Sequence, residues 1–220
     1  MSDHIQIIPA ATLILFRERT DGPPDLLITQ RAAGMAFAGG ALVFPGGRID
    51  PEDEVGAGDH PELAPDDASA RIAALRETAE EVGSAYGLTI DDLTPFARWL
   101  PKHRQSRNFD TRFYIARVPE DAPDPVADGG ETVRAFWAGA AEVLAMCDRG
   151  EAEVIYPTRR NLERLAQFAS FSEAVDDALH HPVDPITPFR EDRDDGPWLC
   201  IPEGLGYPVT AEKWSSLMRG

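Results

Sequence analysis

The 220-residue chain carries 38 acidic against 21 basic side chains, a formal charge of −17, so long-range repulsion opposes both a nucleic-acid partner and an anionic membrane surface. With 43% hydrophobic residues it can bury a core as one large domain, and its two cysteines, Cys147 and Cys200, lack C-x-x-C spacing, so neither a zinc site nor a disulfide framework is indicated. The longest early apolar run, IIPAATLILF, is too short to span a bilayer and follows no basic segment, which together with reduced thiols points to the cytoplasm.

In chain order, ATLILFRE and DLLITQR read as strands joined by the turn-rich RTDGPP, a hairpin. After the small-residue segment AAGMAFAGG, ALVFPGG reads as a short buried strand ending in a Pro-Gly-Gly turn. Residues 50–65 are acidic, rich in Gly and Pro and without apolar period, and are expected to form an exposed insertion. Asp66 or Asp67 is placed to cap a helix running to about Gly83. FARWLP, TRFYIARV and ETVRAFW read as further strands, with DAPDPVADGG as a loop. AGAAEVLAMC, TRRNLERLAQFAS and FSEAVDDALHH read as helices, and the last forty residues as a proline-rich tail with one strand-like piece, WLCIP. Trp99, Phe113 and Trp137 are expected in the core rather than as base-stacking platforms.

The helix at 66–83 contains LRETAEEVG. At about 100° per residue, with Ile72 at zero, Leu75, Ala79 and Val82 fall opposite Glu77, Glu80 and Glu81. Burial of the apolar stripe then presents three carboxylates to one small volume, where they repel each other unless a cation sits among them. Oxygen donors of this kind suit a hard divalent ion, and Arg76, four residues before Glu80, can hold a carboxylate in position. Read without its neighbours, such a charge run is more commonly a solvated helix face.

The Gly-Gly turn feeding a helix with R-E-x-x-E-E-x-G resembles the Nudix box, G-x5-E-x7-R-E-U-x-E-E-x-G-U with U apolar. Gly47 opens it, and Arg76, Glu77, Glu80, Glu81 and Gly83 close it, with Ser84 where the pattern has an apolar residue. Between Gly47 and Arg76 lie 28 residues where the pattern has 13, so 15 are extra and coincide with the acidic insertion. Counting forward from Gly47 places the first box glutamate at Asp53, and counting back from Arg76 places it at Ala68. Glu52, Asp53, Glu54 and Asp67 are the candidates, or the residue is absent.

The resemblance implies an α/β fold, a mixed sheet sandwiched between helices, across a single domain of residues 1–220, with the insertion at about 50–67 and an extension from about Pro182. It implies hydrolysis of a diphosphate joining a nucleoside to another moiety, with Mg2+ or Mn2+ held by Glu77, Glu80, Glu81 and the carbonyl of Gly46. By the same analogy an acid from a later loop completes the site or acts as base, and Glu131 is the candidate.

Outside the box, LITQRAAGMAFAGGALVFPGG is similar to the coenzyme A diphosphatase motif L-L-T-x-R-S/A-x3-R-x3-G-x3-F-P-G-G. Leu27, Thr29, Arg31, Ala32, Gly40 and Phe44 through Gly47 match in register, while Ala36 replaces the second arginine. RNFDTRFYIARV and YPTRRNLERLAQFAS resemble the mammalian motif-19 Nudix hydrolases, which act on coenzyme A and its esters. Coenzyme A or an acyl ester is therefore the expected substrate, with ADP-ribose or NADH as the alternative and a non-catalytic nucleotide-binding protein as a third. Arg31, beside the diphosphate, and the basic cluster KHRQSR, with Lys102, His103, Arg104 and Arg107, are the expected phosphate-binding groups. A solubilising loop paired with nearby acids is an equally simple account of the cluster. A homodimer built through the tail is left open.

Overall fold

The computed structural model describes residues 6–35, 37–101 and 107–217. Its centre is a mixed sheet. Strand β1 (Gln6–Arg17) runs parallel to β6 (Arg107–Val118) along its full length, from Gln6 opposite Arg107 to Arg17 opposite Val118. β5 (Thr94–Trp99) is antiparallel to β6, and β8 (Pro185–Ile186) closes that edge parallel to β5. On the other side β2 (Asp25–Arg31) meets β1 only at Phe16–Leu26 and Arg17–Asp25 before the two strands part. Into the opening go β3 (Leu42–Val43), paired with β2, and β4 (Gly46–Arg48), paired with β1. β7 (Thr132–Gly139) lies antiparallel to β2 on the outside. The expected hairpin is thus paired only next to its turn; farther from the turn β1 pairs with β4, and β2 with β3 and β7.

Alternation along the strands builds two cores. Ala11, Leu13, Leu15, Leu27, Tyr114 and Ala116 face helix α2 (Pro65–Val82), through Ala70, Ala73, Ala74 and Val82. Ile14, Phe16, Leu26, Ile28, Phe113 and Ile115 face the opposite layer, α3 (Ala140–Asp148), α4 (Tyr156–Leu165) and α5 (Phe171–His180). Helices therefore cover both faces of the sheet, as expected. Trp99 and Phe113 are buried core residues, and Trp137 packs, partly buried, against the α2-side core.

Three expectations need correction. Residues 50–65 are not irregular: α1 (Pro51–Gly56) and a 3-10 turn at Ala57–Asp59 occupy them, and Asp53 and Ala57 are buried. Asp50 starts α1 through a capping box, its backbone N–H donating to Asp53 Oδ2 at 2.8 Å. Helix α2 begins at Pro65 with Ala64 as its cap residue, because Asp66 and Asp67 are turned to Arg112, Arg71 and Tyr114. Its far end is as expected, with Gly83 in the left-handed conformation at φ 77°.

The tail is the third. Beyond β8 it forms an antiparallel sheet of β9 (Phe189–Arg193), β10 (Gly196–Cys200) and β11 (Ala211–Lys213), then the short α6 (Trp214–Leu217). Every residue of β9 is exposed, so FREDR has no buried face to leave an apolar alternation in the sequence. Ile186, Ile201, Leu205 and Tyr207 join the core beneath α4 and α5. Among the described residues no helix is long and apolar enough to cross a membrane.

Candidate active site

The site forms where β1 and β2 part. β4 pairs antiparallel with β1 there, with Gly46 opposite Thr12 and Gly47 opposite Ala11, and α2 packs on both strands. Gly46 has φ 156°, and a Cβ on it would lie 2.4 Å from the carbonyl oxygen of Ala11. A Cβ on Gly47 would lie 2.3 Å from the carboxylate carbon of Glu77. The Gly-Gly turn is thus what lets a glutamate of α2 rest against the strand backbone.

The helix presents its acids differently from the amphipathic expectation. Its buried side is Ala70, Ala73, Ala74, Thr78 and Glu81; of the expected stripe Val82 is buried, whereas Ile72, Leu75 and Ala79 are only partly covered. Alanines allow the helix backbone to come close to the sheet, and Glu77 and Glu81 share their side, so these two carboxylates are carried inward. Glu80 instead points outward, its side chain 60% exposed, and accepts a hydrogen bond from Arg76 at 3.2 Å. The three glutamates do not converge on one volume.

Glu81 is 7% exposed, and its Oε2 has no hydrogen-bond partner. Burial pushes its carboxyl up to about 8; the charge of Arg31 and the backbone N–H of Gly46 pull down, while Glu77 and Asp128 push further up. Burial also raises Glu77, with Arg76 opposing. Two inward carboxylates one helical turn apart, one with an orphaned oxygen, beside a glycine turn that a Cβ would fill, fit a hard divalent cation in donor type. Among the described residues no group of three or more His, Cys, Asp or Glu side chains is gathered closely enough to hold an ion by itself.

Arg76 organises the support. It donates from Nε to Asp53 Oδ1 at 3.1 Å, from Nη2 to Asp53 Oδ2 at 2.9 Å and to the carbonyl of Arg48 at 3.0 Å, and from Nη1 to Glu77 at 3.0 Å. Of the four acids open in the sequence, Asp53 is therefore the one bound to Arg76. Glu52 and Glu54 are exposed, and Asp67 accepts from Arg71 at 2.8 Å and from the Tyr114 hydroxyl at 2.7 Å.

Arg31 ends β2, close enough for its charge to act on Glu81, and its Nε donates to the carbonyl of Phe37 at 3.2 Å. Glu131 is exposed just before β7. The sequence reading passed over its neighbour Asp128, whose backbone N–H donates to the carbonyl of Glu81 at 3.1 Å. The Asp128 carboxylate accepts from the backbone N–H groups of Gly130, Glu131 and Thr132 at 3.2, 3.2 and 2.8 Å. An Asp before Gly-Gly is the signal that marks such a turn. Lys102, His103 and Arg104 lie outside the described residues, as does the side chain of Arg107, whose backbone opens β6.

The NUDIX domain family model matches residues 7–158. The chain is similar to the crystal structure of a NUDIX hydrolase from Alicyclobacillus acidocaldarius, at 26% identity and a TM-score of 0.68, over 78% of this chain and 96% of that one. The NUDIX domain of Shewanella oneidensis NrtR, crystallised with ADP ribose, has the same fold at 16% identity and a TM-score of 0.52, over 74% of this chain and 88% of that one. A family whose members generally use divalent metals agrees with the inward glutamates beside a glycine turn, and the chain belongs to it: this is a Nudix hydrolase, a pyrophosphohydrolase by class.

Proposed function

We propose that the enzyme cleaves the diphosphate of coenzyme A or an acyl-coenzyme A, giving 3',5'-ADP and the (acyl) 4'-phosphopantetheine. The observation that carries the site is the buried, half-unpartnered carboxylate of Glu81 beside the Gly46–Gly47 turn, with Glu77 against Gly47. Glu77, Glu80, Glu81 and the Gly46 carbonyl would hold Mg2+ or Mn2+, which when bound would supply charge neutralisation at the diphosphate and a polarised water. Glu80 leaves Arg76 to join this set, a side-chain rotation open to an exposed residue. Arg76 keeps Glu77 in place and Arg31 meets the diphosphate. Lys102, Arg104 and Arg107 take a further phosphate, such as the 3'-phosphate of coenzyme A. Glu131, held by the Asp128 turn, is the candidate base.

Support for coenzyme A comes from the match of Leu27 through Gly47 to the coenzyme A diphosphatase motif. Ala36, in place of that motif's second arginine, favours a second reading, in which ADP-ribose or NADH is cleaved. We take residues 1–220 as one domain, cytoplasmic, acting on small nucleotides and not on nucleic acid, with the tail available for a homodimer.

A product-resolved hydrolysis screen tests this. Coenzyme A, an acyl-coenzyme A, NADH, ADP-ribose and nucleoside triphosphates are offered with Mg2+ or Mn2+ to wild type and Glu81→Gln. Release of 3',5'-ADP by wild type alone is the expected result. Cleavage of NADH or ADP-ribose alone selects the second reading, and metal-dependent cleavage of nothing leaves a nucleotide-binding protein.

A further inference from the structure

The loop between β2 and β3 is held tightly for a segment of small residues. Met35 N–H donates to the carbonyl of Ala32 at 3.0 Å, Ala41 to Ala38 at 3.1 Å and Gly40 to Arg31 at 3.1 Å, while Gln30 Nε2 donates to the carbonyl of Gly40 at 3.2 Å. Ala38 adopts φ 51°, the left-handed region that costs a non-glycine residue energy, and a Cβ on Gly39 would lie 2.7 Å from the carbonyl of Ala33. A strained backbone persists where its surroundings over-determine it.

What this loop displays is an aromatic ring. Phe37 is 52% exposed, and its ring lies against that of Phe109 on β6, with centroids 5.4 Å apart and planes 41° from parallel. The contact bridges the opening between β1 and β2, because Phe37 follows β2 and Phe109 pairs with Ile8 of β1. Ile8 lies four residues along β1 from Thr12, the partner of Gly46, so the ring stands about 13 Å along the strand from the glycine turn. The carbonyl of Phe37 is itself bound to Arg31. An exposed ring at that distance from the diphosphate position, tied to the arginine that meets the diphosphate, is placed for the base of the nucleotide.

We infer that Phe37, backed by Phe109, is a specificity-determining residue of this enzyme, the surface on which the nucleobase of the substrate stacks. The inference rests on the nucleotide-diphosphatase reading above. An exposed aromatic face suits a planar base, which stacks on it.

The test is calorimetric binding of ADP and of inorganic pyrophosphate to Mg2+-loaded wild type, Phe37→Ala and Phe37→Trp, with melting temperatures alongside. Phe37→Ala weakens ADP about tenfold, leaves pyrophosphate and melting unchanged, and Phe37→Trp restores ADP binding. Equal losses for both ligands, no loss for either, or failure of wild type to bind ADP overturns the inference. Hydrolysis plays no part in this readout. A protein that cleaves nothing but shows the tenfold ADP effect sinks the catalytic reading and leaves the stacking role standing.

Discussion

Arg76 and Asp53, 23 residues apart in the chain, form a two-point ion pair with contacts of 3.1 and 2.9 Å, and Asp53 is 2% exposed. The pair clamps α1 to α2, and through the same guanidinium the carbonyl of Arg48 and the carboxylate of Glu77 are held. Removing Asp53 strips the guanidinium of its one buried carboxylate and of two charge-assisted hydrogen bonds, leaving it Glu77, Glu80 and the Arg48 carbonyl, and takes the capping acid from α1. Asp53→Ala is therefore expected to lower stability by about 3 kcal/mol, read from urea unfolding, and to reduce kcat because Glu77 loses a fixed neighbour. Loss of less than about 1 kcal/mol, the range of an exposed pair, contradicts this account.

The raised carboxyl of Glu81 has a pH signature in metal-free protein. Its folded value of about 8 lies above the ordinary 4.5, so the native state holds the proton more tightly than the unfolded chain. The stability this confers is complete below about 4.5 and is lost as pH rises through about 8. In EDTA, Glu81→Gln should match wild type in melting temperature near pH 5 and exceed it by several degrees at pH 9. Added Mg2+ or Mn2+ should raise wild type at pH 9 and leave the variant where it was. Parallel melting curves across that range argue against a buried, protonated Glu81.

Gly47→Ala places a Cβ 2.3 Å from the carboxylate carbon of Glu77. The obstacle is the end of a flexible side chain, so the fold accommodates it by moving that carboxylate. Melting should change by only a few degrees, while kcat falls roughly a hundredfold, the scale of a displacement of about 1 Å in a reacting group. A variant with full activity shows that Glu77 does not need its present position.

Tyr207 tests how firmly the tail is joined to the body. Its hydroxyl donates to Asn161 Oδ1 at 2.7 Å and accepts from Trp99 Nε1 at 3.0 Å, and all three residues are buried. Tyr207→Phe strips two buried groups of a partner, at a cost of about 2 kcal/mol in thermal or urea unfolding. Turnover should be unaffected. An unchanged stability indicates that the tail is dispensable to the core.

The amino-acid order by itself determined the parts that depend on local periodicity and on residue type at fixed spacing. The strands at ATLILFRE, DLLITQR and TRFYIARV, the helices α3, α4 and α5 and the stop of α2 at Gly83 follow from short-range patterns. R-E-x-x-E-E-x-G after a Pro-Gly-Gly turn likewise identifies the family, because its helix end and turn are local features. Tertiary packing decided the rest. Of the expected apolar stripe only Val82 is buried in the sheet-side core, with Leu75 packed against its edge; the side that faces the sheet is mainly alanine, since only residues that small let the helix approach closely enough to carry Glu77 and Glu81 inward. Which of four acids pairs with Arg76 was open in the sequence, where the count forward from Gly47 reaches Asp53 and the count back from Arg76 reaches Ala68; the folding of α1 buries Asp53 against the guanidinium, as the forward count has it. Of the tail strands, β10 was legible as the strand-like WLCIP, whereas the exposed, charged β9 and the short β11 left no apolar alternation to read. Spacing along a chain specifies which groups can meet within a turn or two of helix; which groups meet across the sheet is settled by the volume each side chain occupies once the layers close.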